Sequence, residues 1–557
     1  MKPAKPSGAS EAQLAHADAL MRDGFLAEAA EAYARLVRRF PANARLLTAL
    51  GTVHLRMGNL REGDRVLARS LQLAPHQPEA LANRAIALVQ FGRAAEAEAL
   101  LRRALQLRPD HAEAHNSLGN VLRGMDRDDE ARAHFEQALL ARPGYAEAWN
   151  NLGTVLLRAR ELDAALGHFR RALALQPDYA DALNNLGVGL SHSGRYDEAL
   201  ASLDRALQLR PSFVDAHHNR FIVLLAQMRV DEALAGYDRA LALDPEHGDL
   251  QFNKSLVELL VGDYENGWKR YEWRWKRAAS PAPRSFAQPL WLGETPIAGK
   301  TLLIHPEQGL GDYVQFCRYA RLAAEQGARV VLEAPAPLVR LVRTMSGDFT
   351  VVKQGDPLPP FDCHCPVMSL ALAFGTVVET IPGQVPYLFA DDALRRAWRE
   401  RLGAKTRPRV GLVWSGSTGH ANDFNRSVAL EMLAPVLALP LEFHALQKEI
   451  RPADARALQR FEQLRTHCDE LGDFADTAAL AAEMDLVVSV DTSAAHVAAA
   501  LGQETWILLA FAPDYRWLVG RPHTPWYPGA TLIRQPAIGN WGAVVAQLVE
   551  RLRARFG

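Results

Sequence analysis

The chain has 557 residues, 48% hydrophobic and 23% charged, and this ordinary composition excludes disorder along its whole length. Its 63 basic and 64 acidic residues leave a net charge of -1, which excludes an overall attraction to nucleic acid or to anionic membranes. Four cysteines are too few for a disulfide scaffold. The start lacks the apolar core of a secretory signal, and every apolar run is too short to span a bilayer, so a cytoplasmic location is expected.

The first half of the sequence is an internal repeat. A period of 34 residues is that of the tetratricopeptide repeat, a pair of antiparallel helices, and proline would end the second helix because it lacks the N–H for the next helical bond. After a flexible N-terminus (1–9), we predict seven full repeats, at 10–43, 44–77, 78–111, 112–145, 146–179, 180–213 and 214–247. The prolines in one register are Pro41, Pro75, Pro109, Pro143, Pro177, Pro211 and Pro245.

Small and large residues in the same register predict how each helix pair packs. Glycines such as Gly119 and Gly153 would let the two helices approach closely, and larger residues such as Phe135 and Phe169 would fill the seam between them. An eighth, degenerate repeat extends the repeat region to 10–281. Its aromatic run would cap the array and dock it on the next domain of the chain: Trp268, Tyr271, Trp273 and Trp275.

An asparagine column recurs on the first helix of the repeats, with Ser117 at the one gap. A carboxamide both donates and accepts hydrogen bonds, so the column could hold the backbone of a protein acceptor, or it could tie neighbouring repeats together. The column consists of Asn83, Asn151, Asn185, Asn219 and Asn253. With this column the sequence resembles O-GlcNAc transferases, whose repeats carry an asparagine ladder that binds protein acceptors.

After about residue 285, short β-rich runs alternate with helical stretches, which indicates doubly wound α/β domains. We predict an N-terminal Rossmann-like, acceptor-side domain at 285–400 and a C-terminal Rossmann-like, nucleotide-sugar-binding domain at 406–557, closed by a helix at 541–556. Two such domains facing a cleft make the GT-B arrangement, in which ligands bind outside the carboxyl ends of the strands. The predicted strands are 300–305, 328–333, 349–352, 409–414, 441–446, 485–490 and 505–510.

Two loops at predicted strand ends begin the candidate site. In EQGLGDYVQF, Gly309 and Gly311 remove side chains where a ligand approaches the backbone, and Asp312 stands at a helix start, where a capping role is the alternative. In WSGSTGHANDFNRS, Ser415 and Gly416 line a turn. Arg426 follows them and could bind a phosphate through two parallel hydrogen bonds, or be a solvated surface arginine.

Two further loops complete the set. LQKE offers Gln447, Lys448 and Glu449, whose carboxylate could accept ribose hydroxyls or simply be solvated. In SVDTSAAHVAAALG, a helix start suits a diphosphate, and the alternative for its histidine is a packed core residue. The residues in this loop are Asp491, Thr492, Ser493 and His496.

The order of these four loops resembles the ADP-heptose:lipopolysaccharide heptosyltransferases, and more closely a group of bacterial proteins that join repeats to that fold. The resemblance implies that Asp312 is the catalytic aspartate, that Arg426 replaces a phosphate-binding lysine, and that Glu449 binds ribose. Asp491, Thr492 and His496 match the donor-binding segment, whereas Ser493 departs from a glycine of the family. Related fusions are associated with flagellin modification, which implies a flagellin or another surface protein as acceptor.

The sequence thus predicts transfer of a sugar from a nucleotide-sugar to a protein hydroxyl, with no cofactor. No Asp-x-Asp pair occurs in 285–557, so no metal requirement is expected. Cys363 and Cys365 would share a strand face, but a zinc site needs more ligands than they offer. Two alternatives stay open: a non-catalytic repeat adaptor with a degenerate transferase domain, and an enzyme acting on lipopolysaccharide or another glycan.

Overall fold

The computed structural model describes residues 8–277, 283–417, 419 and 422–557, without the side chains of 8–10 and 424. Residues 1–7 of the predicted flexible N-terminus therefore lie outside the described residues. Residues 278–281 of the predicted repeat region also lie outside them. The chain divides into two compact units, one ending at Val223 and one beginning at Leu224.

The first unit is an α-solenoid of helix pairs. Each second helix ends two residues before a proline of the 34-residue register, as the sequence predicts. The helices are α1 (Gly8–Arg22), α2 (Leu26–Arg39), α3 (Ala44–Arg56), α4 (Leu60–Leu73), α5 (Pro78–Gln90), α6 (Ala94–Leu107), α7 (Ala112–Gly124), α8 (Asp128–Ala141), α9 (Ala146–Arg158), α10 (Leu162–Leu175), α11 (Ala180–His192) and α12 (Tyr196–Leu209), followed by α13 (Val214–Ala226), which spans the boundary between the units.

The predicted packing of small against large residues is confirmed within the pairs. A Cβ added to Gly153 would lie 2.6 Å from Cε1 of Phe169, and one added to Gly119 would lie 2.6 Å from Cε1 of Phe135. Both phenylalanines are fully buried. Glycine is therefore required where the ring of the second helix lies against the backbone of the first.

The second unit begins with the last helices of the repeat pattern and continues into the first α/β domain. These helices are α14 (Val230–Leu243), α15 (Gly248–Val261) and α16 (Tyr264–Tyr271), with a 3-10 helix at Glu272–Lys276. The first domain has a parallel four-stranded sheet of order β3-β2-β1-β4. Its elements are β1 (Thr301–His305), α17 (Leu310–Phe316), α18 (Tyr319–Glu325), β2 (Arg329–Ala334), α19 (Val339–Val342), β3 (Phe349–Lys353), β4 (Cys363–Pro366) and α20 (Leu370–Ala373).

The second α/β domain follows α21 (Asp392–Leu402). Its sheet has the order β10-β11-β9-β8-β5-β6-β7, in which β10 alone pairs antiparallel. The elements are β5 (Arg409–Val413), α22 (Asp423–Arg426), α23 (Ala434–Leu437), β6 (Glu442–Ala445), α24 (Pro452–Leu458), β7 (Leu464–Arg465), α25 (Phe474–Ala481), β8 (Leu486–Val490), α26 (Ser493–Ala500), β9 (Thr505–Leu509), β10 (His523–Thr524), β11 (Tyr527–Arg534) and α27 (Trp541–Phe556).

The predicted fold class is confirmed: a tetratricopeptide α-solenoid is followed by two doubly wound α/β domains. All seven predicted strands are present, and α27 covers the predicted closing helix. The sequence prediction missed β4, β7, β10 and β11. The strand β4 reads Cys-His-Cys-Pro, β7 and β10 have two residues each, and β11 begins with Tyr-Pro-Gly, so none shows a long β-branched run.

Within the second unit, Tyr264 and Trp268, the latter from the aromatic run of the last repeat, pack against both α/β domains. The Tyr264 hydroxyl accepts a hydrogen bond from Trp526 Nε1 (3.1 Å), and the Trp268 ring lies edge-on to Phe316 and Tyr515. These side chains belong to one buried core that includes β1, α17 and α26. None of the helices in the described part of the chain combines the length and apolarity needed to cross a membrane.

Candidate functional site

A pocket of about 610 Å³ opens at the carboxyl ends of strands from both α/β domains. The loops that line it follow β1 of the first domain and β5, β8 and β9 of the second. In the second sheet the strand order runs from β5 outward to β6 and β7, and then returns to β8 on the other side of β5. Folds of this kind bind ligands at the point where the strand order reverses, here between β5 and β8. Eight residues predicted for the site line this pocket: Gly309, Gly311, Asp312, Arg426, Asp491, Thr492, Ser493 and His496.

Asp312 lies in the first turn of α17, and both of its carboxylate oxygens accept hydrogen bonds. Its Oδ2 accepts from the backbone N–H of Gly309 (2.9 Å), which caps the helix start. Its Oδ1 accepts from Nη2 of Arg516, which belongs to the second domain. The capping role considered from the sequence is therefore present, and the same side chain also faces the pocket.

The sequence prediction missed Arg516. It follows β9 in the segment Pro-Asp-Tyr-Arg-Trp, and its Nη1 donates to Oδ1 of Asp514 (2.6 Å). Burial alone would lower the pKa of Arg516, but the negative charges of Asp312 and Asp514 raise it well above its ordinary value. The available signal was an alternation of charged and aromatic residues, Asp-Tyr-Arg-Trp, that begins five residues after the end of a buried strand.

The helices α17 and α26 approach closely behind the pocket. A Cβ added to Gly311 would lie 3.0 Å from Cδ2 of His496, a tight contact that the glycine at this point of the pocket wall avoids. His496 is buried, stacks on Trp517 and shares a 2.9 Å hydrogen bond between its Nδ1 and the Tyr527 hydroxyl. Burial lowers the pKa of His496 well below its ordinary value, so the ring is neutral at pH 7. It is a packed histidine that also borders the pocket.

Arg426 and Asp491 are in contact and both line the pocket. Nη1 of Arg426 donates to the backbone oxygen of Asp491 (3.1 Å), while its buried Nε has no hydrogen-bond partner among the described residues. A Cβ on Gly416 would lie 2.6 Å from Nη2 of Arg426, so this glycine makes room for the guanidinium. Burial, together with the charge of Asp514, raises the pKa of Asp491 to about 6. Thr492 precedes the first residue of α26, so the N–H groups of that helix start face the pocket.

The other predicted donor-binding residues lie outside the pocket lining. Gln447 is buried, and its Oε1 accepts from the backbone N–H groups of Trp414 (3.2 Å) and Ser415 (3.1 Å), which ties the ends of β5 and β6 together. Lys448 donates to the backbone oxygen of Gly472 (2.7 Å), and Glu449 is exposed. Their predicted binding roles stay predictions.

The asparagine column makes bonds between successive repeats. Nδ2 of Asn83 donates to Oγ1 of Thr52 (2.7 Å). The other three donors of the first unit bond to asparagines that the sequence prediction did not single out. These bonds run from Asn151 to Asn116 (2.9 Å), from Asn185 to Asn150 (2.9 Å) and from Asn219 to Asn184 (2.8 Å). Asn253 lies half-buried on α15 in the second unit. The tie between repeats is thus observed, and binding of an acceptor backbone stays a prediction.

Within the described part of the chain, no group of three or more His, Cys, Asp or Glu side chains is arranged to hold a metal ion. Cys363 and Cys365 lie on β4 between buried neighbours. The intervening His364 shares a 3.2 Å contact between its Nδ1 and Nε2 of His305.

Comparisons with known proteins support the repeat region. Tetratricopeptide-repeat family models match residues 14–78, 76–143, 110–178, 144–212 and 190–252. The chain is 28% identical over 328 residues to Protein FlbA of Caulobacter vibrioides, in an alignment that covers 54% of this chain and 54% of FlbA. The chain thus spans about half the length of this curated relative.

Several solved structures also resemble part of the chain. The APC/C hetero-tetramer Cut9-Hcn1 is 22% identical with a TM-score of 0.39 and covers 41% of this chain and 45% of that one. YrrB, a TPR protein with an unusual peptide-binding site, is 23% identical with a TM-score of 0.28, in an alignment that covers 34% of this chain and 97% of YrrB. TTC0263, a thermophilic TPR protein of Thermus thermophilus, is 25% identical with a TM-score of 0.30, in an alignment that covers 33% of this chain and 100% of TTC0263. These TM-scores are low, and they carry no conclusion about function. By its sequence matches and its helices, the N-terminal part of the chain is an array of tetratricopeptide repeats.

Proposed function

We propose that the protein is a glycosyltransferase that moves a sugar from a nucleotide-sugar donor to a hydroxyl of a protein acceptor. The observation that carries the proposal is the pocket between the two doubly wound domains. It brings three carboxylates, two arginines and a helix start to the carboxyl ends of strands, where this class of fold binds nucleotides. The resemblance to heptosyltransferases named from the four loops supports the same function.

The donor's diphosphate would bind between Arg426 and the start of α26. The guanidinium and the backbone N–H groups there carry positive charge toward the pocket. Such groups would stabilise the charge that develops on the departing phosphate when the bond to the sugar breaks. Glu449 and Lys448, which lie outside the pocket lining, are proposed contacts for the rest of the donor only on the strength of the resemblance.

Asp312 would act as the general base that removes the proton of the acceptor hydroxyl. It is held at the start of α17 by its bond to the Gly309 N–H, so the carboxylate points into the pocket from a rigid element. Its other oxygen bonds to Arg516, and this bond must be released before that oxygen can accept a proton.

A protein acceptor is the substrate that best accounts for the repeats. Phe252 and Leu256 of α15, the first helix of the eighth repeat, line the pocket, so a repeat helix contributes directly to the wall of the site. Flagellin or another surface protein is the acceptor class that the resemblance suggests. A bound acceptor backbone would contact the asparagine column.

Two measurements test the proposal. Thermal unfolding in the presence of UDP, ADP, GDP and CDP and their sugars should show a raised midpoint with at least one nucleotide. Intact-mass analysis of proteins co-expressed with the chain should reveal a constant added mass on one of them, which would identify the acceptor and give the mass of the sugar. No midpoint shift with any nucleotide would favour the adaptor alternative. Added mass on glycans but on no protein would favour the glycan enzyme.

The proposed reaction needs no divalent metal, since the positive groups around the leaving phosphate belong to the protein. Turnover should therefore continue in EDTA. Loss of turnover in EDTA that magnesium or manganese restores would contradict this part of the proposal.

A further inference from the structure

The pocket is crowded with charge of both signs. Among the described residues that line it, the carboxylates are Asp312, Asp491 and Asp514, and the guanidinium groups are Arg426 and Arg516. Since His496 is neutral, the carboxylates outnumber the guanidinium groups. A diphosphate brings several further negative charges, so it binds more tightly if an arginine turns from a carboxylate to the phosphate.

Arg516 has the geometry for such an exchange. Oδ1 of Asp514, two residues earlier in the chain, accepts hydrogen bonds from the backbone N–H of Arg516 (3.0 Å) and from its Nη1 (2.6 Å). Asp514 therefore anchors the Arg516 side chain locally. Asp312 is the remote partner, 204 residues away in the sequence and in the other domain. The buried Nε of Arg516 has no hydrogen-bond partner in the described structure, and the guanidinium lies over the Tyr515 ring at 4.5 Å.

We propose that Arg516 is a phosphate-binding side chain that leaves Asp312 for the diphosphate of the donor, and that this exchange frees Asp312 to accept the acceptor's proton. The inference rests on the proposed function. Guanidinium groups bind phosphate through two parallel hydrogen bonds, so Nε and Nη2 can together replace the single bond to Asp312. The base is then available only when the donor is in place, because Arg516 releases Asp312 as it binds the diphosphate.

Calorimetric titration of the full chain with inorganic pyrophosphate and with UDP, ADP, GDP and CDP tests the exchange. Arg516→Gln should weaken pyrophosphate and diphosphate binding by about tenfold or more, because a charged bidentate contact is lost. Asp312→Asn should tighten the same binding by about tenfold, because it removes the group that competes for Arg516. The double variant should bind like Arg516→Gln alone.

The double variant separates the exchange from a simple charge effect. If Asp312→Asn tightens binding equally in the Arg516→Gln background, Asp312 acts only through its own charge and the exchange is overturned. Asp312→Asn binding no tighter than wild type overturns it as well. If Arg516→Gln fails to fold, Arg516→Lys takes its place, because lysine keeps the positive charge but cannot form two parallel hydrogen bonds to phosphate. In the Arg516→Lys background, Asp312→Asn must tighten diphosphate binding less than it does in wild type. Binding of none of the five probes by wild type would instead overturn the proposed function together with the exchange.

Discussion

The repeat array and the pocket use buried polar side chains in opposite ways. In the array, Nδ2 of Asn151 bonds to Asn116, 35 residues earlier, and the same bond recurs in the next repeats. In the pocket, Arg516 bonds to Asp312 across two domains, and this bond occurs once. Loss of one tie in an array weakens one of several similar contacts, whereas loss of a pocket bond removes a contact with no equivalent. Stability is thus shared along the repeats, and the proposed chemistry depends on single residues.

The largest expected effect comes from the pocket. Asp312→Ala should lower kcat for sugar transfer by about 10²–10⁴-fold, the usual contribution of a general base. Rates are measured from the mass added to the acceptor over time. The matched control is Asp348→Ala, which removes an exposed aspartate of the same domain that does not line the pocket.

Equal rates for the two alanine variants would show that the pocket carboxylate does not act in transfer. The repeated bonds of the array could then no longer be contrasted with a single pocket bond on which transfer depends, since Asp312 would be dispensable for transfer.

A smaller effect is expected from the seam of one repeat. Gly153→Ala should lower the free energy of unfolding by about 1–3 kcal/mol, because its Cβ would overlap the buried Phe169 ring. Gly167→Ala, on the exposed face of α10 with no atom within 4 Å of the new Cβ, should raise it by about 1 kcal/mol through helix propensity. Urea unfolding followed by circular dichroism distinguishes the signs. A destabilising Gly167→Ala would show that backbone freedom, rather than close packing, explains the glycines.

Much of the array could be predicted from the sequence because its contacts repeat with the period. Gly153 and Phe169 recur as Gly119 and Phe135, so each position is supported by its equivalents. The tie partners Asn116, Asn150 and Asn184 were missed, although they share a register, because an asparagine next to the predicted column gave no separate signal.

The candidate site was predicted less completely. Residues in the loops and helix starts that follow apolar strands, such as Asp312 and Asp491, could be placed in one pocket because parallel strands bring their carboxyl ends together. Arg516 could not, since its partner lies 204 residues away and only the packing of two domains joins them. Gln447 follows a strand too, yet its amide binds the backbone of the neighbouring strand end instead of facing the pocket.

The two aspartates that flank β8, Asp485 before it and Asp491 after it, provide a pH comparison. Because burial and Asp514 raise the pKa of Asp491 from 3.8 to about 6, its favourable contribution to folding is present below pH 3.8 and is lost as the pH rises through about 6. Asp491→Asn should therefore gain stability relative to wild type between about pH 4 and pH 7, by about 2 kcal/mol after allowance for partial exposure. Chemical unfolding at both pH values measures the difference.

Asp485 at the other end of β8 should give the opposite slope. Burial opposes its charge, but the bonds from Lys405 and the Arg409 backbone lower the pKa of Asp485 overall. Its contribution is therefore present at neutral pH and lost as the pH falls, so Asp485→Asn should cost stability at pH 7 and less at low pH. Slopes of the same sign for both variants would contradict the electrostatic account of the pocket.

The smallest expected effect tests whether the asparagine column does more than tie repeats. Asn83→Ala and Thr52→Val each remove the 2.7 Å bond between these two side chains, so each should lower the free energy of unfolding by about 1 kcal/mol. Only Asn83→Ala removes the carboxamide that would contact an acceptor backbone. It should therefore raise KM for the protein acceptor by about fivefold, the loss of one hydrogen bond, while Thr52→Val leaves KM unchanged. If the two variants show equal KM values and equal losses of stability, the asparagine column serves only to bond neighbouring repeats. Substrate recognition would then be left to the pocket.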